Sequence, residues 1–372
     1  MDDSSYTPLH HAALNGHTRT VELLLAQGAL IEATDRYKNT ALHLAVWKSH
    51  NDVAELLFDN GSSIHAQNRF GNTPLHFASW SGNVGMGELI LSKGAQTETR
   101  NKYRNTPLHL AASRGHTGMV ELLLKVDASI EAACRGGNTP LHLTARSGHI
   151  GAMKLLLMKG AQIQARNSGS NTPLHLAACN GHNAVVELLL ITGALIEELG
   201  KFNRTPLHHA VRYGHTDVVG LLLMKGASTD VTDQFDRTPL HLAVNIDIVD
   251  LLLTKGALIE ARDVDDNTPL QLAADDRQCT GVVELLLTKG ASIEARGQFN
   301  NTPLHTATGS RHFGAVKLLL EKGASIEARN KFNKTPLDIA ALNHDVDGHA
   351  NSLQILQILQ NKAAELAHEN GT

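Results

Sequence analysis

One motif, Thr-Pro-Leu-His or a close variant, starts at Thr7, Thr40, Thr73, Thr106, Thr139, Thr172, Thr205, Thr238, Thr268, Thr302 and Thr335. The first seven intervals are 33 residues and the last three are 30, 34 and 33, so eleven units account for nearly all of the 372 residues. Length alone would suggest two or three globular domains. The period overrides that expectation, because a unit of about 33 residues must bury its apolar side on its neighbours.

The unit from Thr106 to Asn138 shows the local physics. Thr106 is a helix cap, Pro107 suits the first helical position, and Leu108, Ala111 and Ala112 line one face. Gly115 ends this short helix. A second helix follows, with Val120, Leu122, Leu123 and Leu124 as its apolar stripe, and Ala128 to Ala132 reads as an extended stretch leading to a turn. Helices this short do not hold in water alone, so the units are expected to stack into one continuous core.

The residues TPLHLAASRGHTGMVELLLKVDASIEA resemble the ankyrin repeat in both length and the T-P-L-H-x-A signature. The resemblance runs from Thr7 to the final helix. It implies an all-α fold of helix-turn-helix units joined by β-hairpins, an ankyrin-repeat solenoid forming an elongated curved superhelix. Residues 1–372 then form a single domain, with 353–372 as a capping helix and tail.

Three units depart from the pattern. The unit from Thr238 lacks three residues between its helices, and the next has one extra there and Gln271 at the motif histidine, so a local change of curvature is expected between residues 238 and 280. The last unit has Asp338 in place of His and an insertion, Asn343 to Ser352, expected as a loop before a helix studded with Gln354, Gln357, Gln360 and Lys362. That helix reads as a terminal cap. The first unit, with Val21, Leu23, Leu24 and Leu25, has no polar cap, which leaves open that the native chain begins upstream or that something covers this unit.

Composition excludes several functions. The net charge of −4 gives no global basic excess for nucleic acid, and Cys134, Cys179 and Cys279 stand apart with no CxxC pair for zinc or a disulfide framework. No run is long enough to span a membrane, and the amino terminus lacks a signal pattern. A soluble chain of the intracellular, cytoplasmic compartment is expected. Nine of the 22 histidines occupy the motif and others recur between the helices, as at His116, His149 and His182, so repetition accounts for them without catalysis. Asn343, Asp345, Asp347 and Gly348 match the start of a calcium loop, but the twelfth position is Gln354 instead of Glu. No phosphate loop, nucleophile elbow or dinucleotide fingerprint occurs. No catalytic residue, cofactor or metal is expected. The hairpin position at which many ankyrin proteins carry a hydroxylatable Asn holds Glu32, His65, Glu98, Glu131, Gln164, Glu197, Asp230, Glu260, Glu294 and Glu327, so that modification is not expected at these sites.

Residues common to all copies build the stack, so specificity falls to those that differ and face outward. Three residues before the motif Thr, at the hairpin tip, stand Tyr37, Phe70, Tyr103, Gly136, Gly169, Phe202, Phe235, Asp265, Phe299 and Phe332. Seven of these ten are aromatic in a chain with only fourteen aromatics, and aromatic residues are common binding anchors. The same spacing also fits rings that pack on the adjacent hairpin. Seven residues after the Thr, on what the family resemblance makes the concave face, come Leu14, Trp47, Trp80, Ser113, Arg146, Cys179 and Arg212. Trp47 and Trp80 are neighbours there and are the best candidates for a hot spot, with packing as the alternative.

Charge is segmented too. Residues 100–225 hold fourteen basic and seven acidic residues, whereas 230–276 hold three and eleven. The basic part displays Lys102, Arg104, Arg114, Arg135, Arg146 and Arg212, and the acidic part Asp263, Asp265, Asp266, Asp275 and Asp276. Opposite fields would steer a partner, although an unevenly charged solvated surface reads the same way. The expected function is a scaffold or adaptor that holds a folded domain or extended peptide, with the chain itself a monomer. The alternative is the recognition arm of a larger signalling protein. Nucleic-acid binding through the basic segment is disfavoured by the acidic block.

Overall fold

A computed structural model describes residues 5–347 and 350–369. Its regular structure among these residues is helical, with 21 α-helices, three short 3-10 turns and no strand. Eleven helical pairs follow the eleven motifs. Most first helices have seven or eight residues, and the second helices of the first ten units have nine. Contacts gather the chain into two compact bodies, one holding the residues up to Ala177 with 184–195, the other 178–183 with the residues from Ile196 onward.

Each unit starts the way its sequence dictates. Thr106 is extended at φ −86 and ψ 167, its side chain and that of His109 form a reciprocal capping box, and Pro107 opens the Pro107–Arg114 helix. Gly115 ends it in the left-handed region at φ 73. The second helix, Thr117–Lys125, turns Met119, Val120 and Leu123 inward. These three and Leu108, Ala111 and Ala112 are fully buried, because first helices pack on first helices and second on second from one unit to the next. Leu122 and Leu124, also expected in the stripe, are half-buried.

The expected β-hairpin takes a different form. Ile130 and Glu131 lie in a turn closed by the Ala132 N–H donating to the Ser129 carbonyl at 3.2 Å. Successive tips are then joined by backbone bonds, such as Lys102 N–H to the Phe70 carbonyl at 2.9 Å. One such link per tip does not make a ladder, so no strand forms.

The three-residue deletion falls on the first helix of its unit, which shrinks to the 3-10 turn Pro239–Leu242. In the last unit the described part of the inserted stretch is helical instead of the expected loop. The Pro336–Asp347 helix runs on through Asn343, Asp345 and Asp347, Gly348 lies outside the described residues, and the final helix is Ala350–Glu369. Asn343 Nδ2 donates to the Thr308 carbonyl at 3.0 Å, which ties the extended helix to the unit before it. On the final helix Ile355 and Leu359 are buried while Gln354, Gln357 and Gln360 face solvent. In the first unit Leu23 and Leu30 are exposed.

Candidate partner-binding surface

The motif histidines are consumed by the stack. At His109 the Thr106 N–H and hydroxyl both reach Nδ1, at 3.2 and 2.8 Å, so Nδ1 carries the lone pair and Nε2 the proton. Nε2 then donates to the Asn138 carbonyl at 3.1 Å, tying one unit to the next. The same three contacts recur at His10, His43, His76, His142, His208, His241 and His305. Burial pushes His43, His76, His109 and His208 down to about 4, only partly offset by the carbonyl acceptors, so they are neutral at pH 7. Gln271 reproduces the pattern with an amide. Its Oε1 accepts the Thr268 N–H at 2.9 Å and its Nε2 donates to the Asn301 carbonyl at 2.8 Å. Asp338 takes the Thr335 N–H at 2.8 Å and has no proton to donate onward.

Histidines between the helices have a second structural task. His149 lies across Gly115, where an added Cβ would come within 2.6 Å of the ring, and its Nε2 donates to the Ser113 carbonyl at 3.1 Å. His116 does the same for the Trp80 carbonyl at 3.0 Å, which fixes the backbone beneath one of the two tryptophans. Asn83 replaces this histidine after Trp47 and instead donates to Asn51 Oδ1 at 3.3 Å.

Five of the seven aromatic tips, Tyr37, Phe70, Tyr103, Phe235 and Phe332, donate their N–H to an Asn or Asp two residues before them. Asn68 Oδ1 accepts the Phe70 and Asn72 N–H groups at 2.9 and 3.0 Å, and Gly71 adopts φ 75. Neighbouring tip rings meet: Tyr37 and Phe70 are stacked with centroids 6.5 Å apart, Phe202 and Phe235 lie 6.4 Å apart, and Phe299 and Phe332 lie 5.5 Å apart. Cations cover several of them, Arg36 on Tyr37, Arg237 on Phe235 and Lys331 on Phe299. The rings stay 37–59% exposed all the same. Tyr103 is at 53%, and the next two tips in the column carry glycine, Gly136 and Gly169. Trp47 and Trp80 do not stack on each other. Lys48 Nζ lies 4.3 Å from the Trp47 ring and Arg114 Cζ 4.0 Å from the Trp80 ring, and the indoles are 37% and 39% exposed.

A family model described as ankyrin repeats (3 copies) matches residues 1–68, 75–167, 165–233, 217–297 and 280–370, and one described as ankyrin repeats (many copies) matches 48–89. The chain belongs to the ankyrin-repeat family. No curated protein matches it. Ankyrin repeats are in general protein–protein interaction modules, and the family is typically non-enzymatic.

The remaining candidate residues of this ankyrin chain are dispersed. Arg104, Arg146 and Arg212 are exposed, and Arg104 occupies the left-handed position of its tip at φ 60. Sequence reasoning passed over two ladders. Glu32, Glu98, Glu131, Glu197, Glu260 and Glu294 each accept a backbone N–H of the following unit at 2.7–2.9 Å, so six of the ten positions considered for Asn hydroxylation hold carboxylate bridges. Asn68, Asn101, Asn167 and Asn330 bridge to the preceding tip through their side-chain amides. At Asp233 this amide bridge becomes a buried ion pair, with Arg204 Nε and Arg237 Nη2 each at 3.1 Å. Burial opposes the charge on Asp233, but the N–H of Phe235 and the guanidinium and N–H of Arg237 outweigh it and hold the carboxyl below its ordinary range. Recurrence of Glu and Asn at a fixed offset was the available signal. Among the described residues no group of three His, Cys, Asp or Glu could hold a metal, and no helix is long and apolar enough to cross a membrane.

Proposed function

We propose that this chain is a non-catalytic scaffold or adaptor that holds a protein partner against its hairpin tips and the ends of its first helices. The observation that carries this reading is the division of labour among side chains. Motif histidines, capping threonines and the Glu and Asn bridges are spent within the stack, whereas Tyr37, Phe70, Tyr103, Trp47 and Trp80 keep a third to a half of their surface in solvent. Aromatic groups held on rigid backbone lose little entropy when they are buried by a partner, which is what makes such residues hot spots. Tip rings that touch each other and their cations retain open faces, so packing within the column and contact with a partner are compatible.

Affinity purification with quantitative mass spectrometry tests this on three chains: wild type, Trp47→Ala with Trp80→Ala, and Tyr103→Ala, each checked by circular dichroism. The folded variants should lose the principal wild-type partner. Equal recovery of that partner by all three chains would refute the assignment.

A further inference from the structure

We infer that the cavity between the first helices of the ninth, tenth and eleventh units receives a lysine or arginine side chain of the partner polypeptide. This deepens the scaffold reading and rests on it. The cavity, of about 410 Å³, lies within the second compact body and is walled by Leu272, Asp275, Gln298, Phe299 and Gly309. Its volume falls in the range of about 300–1,000 Å³ that ligand pockets occupy, so it has room for a long side chain.

Position supports the assignment. Asp275 stands seven residues after Thr268 and Gly309 seven after Thr302, the column that carries Trp47 and Trp80 in the second and third units. The chemistry of this one outward column therefore changes from indole to carboxylate. Gly309 opens the space, since a Cβ there would meet nothing within 4 Å and the residue does not adopt a left-handed φ. The Ser310 hydroxyl donates to Asp275 Oδ1, which steadies the carboxylate and leaves Oδ2 for an incoming donor.

Charge selects the occupant. The stretch 263–276 contains Asp263, Asp265, Asp266, Asp275 and Asp276 and no Lys or Arg. None of the five forms an ion pair among the described residues. The flanking Arg262 and Arg277 donate instead to backbone carbonyls, Arg262 to Asp266 and Arg296, and Arg277 to Ser310. Phe299, 43% exposed, adds an aromatic wall that already attracts one cation, Lys331 at 4.9 Å. A cationic head on a long apolar stem matches carboxylate and ring together. The adjoining cavity of about 370 Å³, which shares Leu272, is walled by both Arg212 and Asp276 and so expresses no preference of sign.

The test is selection of random dodecapeptides on the full chain, followed by fluorescence polarisation of the enriched, fluorescein-labelled peptides. Enriched sequences should contain a Lys or Arg whose replacement by Ala weakens binding about tenfold. Asp275→Asn, which keeps the shape, and Gly309→Leu, which fills the space, should each cause a similar loss. Combining Asp275→Asn with the peptide substitution should cost little more than either alone. Circular dichroism confirms that the variants fold. The inference is overturned if no peptide is enriched, if enriched peptides lack a basic residue, or if both variants bind within twofold of wild type. Peptides that respond to Trp47→Ala with Trp80→Ala but not to Asp275→Asn would overturn it while leaving the scaffold reading intact.

Discussion

Replacing His109 with Gln should separate the structural job of the motif imidazole from its sensitivity to acid. Gln271 shows that an amide can take the Thr N–H and donate to the next unit at the same position, so the hydrogen bonds should survive. The imidazole, however, titrates. Its value is about 4 in the fold against 6.5 for the free group, so the unfolded chain takes up the proton first as pH falls. The stability that a neutral His109 contributes is complete above about pH 6.5 and is lost progressively toward pH 4. At about 1.4 kcal/mol per unit the full loss is about 3 kcal/mol, of which about 2 kcal/mol falls between pH 7 and pH 5. Urea unfolding followed by far-ultraviolet circular dichroism at those two pH values measures it. His109→Gln should be within about 1 kcal/mol of wild type at pH 7 and should lose about 2 kcal/mol less on going to pH 5. His43, His76 and His208 share the lowered value, so multiple Gln variants should be progressively more acid-resistant. An identical loss in wild type and variant would refute the reasoning.

Three further outcomes follow from the same contacts. Gly115→Ala forces a Cβ against the His149 ring at a left-handed φ and should cost about 2 kcal/mol by urea unfolding, with no change as the contradicting result. Thr106→Ala removes a cap and the hydroxyl that reaches His109, and should cost about 1 kcal/mol in the same assay. Capture of the partner should weaken from low to high salt, because exposed charges steer association and are screened; equal capture at both would exclude steering.

The fold was legible because repetition multiplies a weak local signal. A lone Thr-Pro-Leu-His says little, but eleven in register leave few alternatives to stacked helix pairs, and Pro107, Leu108 and Gly115 already name the start, face and end of one helix. The outward columns were legible only as columns. The 33-residue spacing puts Tyr37 above Phe70 without giving the ring separation, which depends on the turn fixed by Asn68 and on the backbone link between tips. The insertion at Asn343 misled because its acidic, Gly-containing pattern is also that of a loop, while the contacts that extend the helix, such as Asn343 to Thr308, lie 35 residues apart in sequence. The buried pair of Arg204 and Asp233 was hidden for the same reason, since the partners belong to different units.

Hydrogen–deuterium exchange on the chain bound to its captured partner tests the central division most directly. Added protection should fall on segments covering Tyr37–Trp47, Phe70–Trp80 and Tyr103–Arg114, where side chains left over by the stack are displayed. Protection confined to the second helices, such as Thr117–Lys125 and Ile150–Met158, would contradict the account.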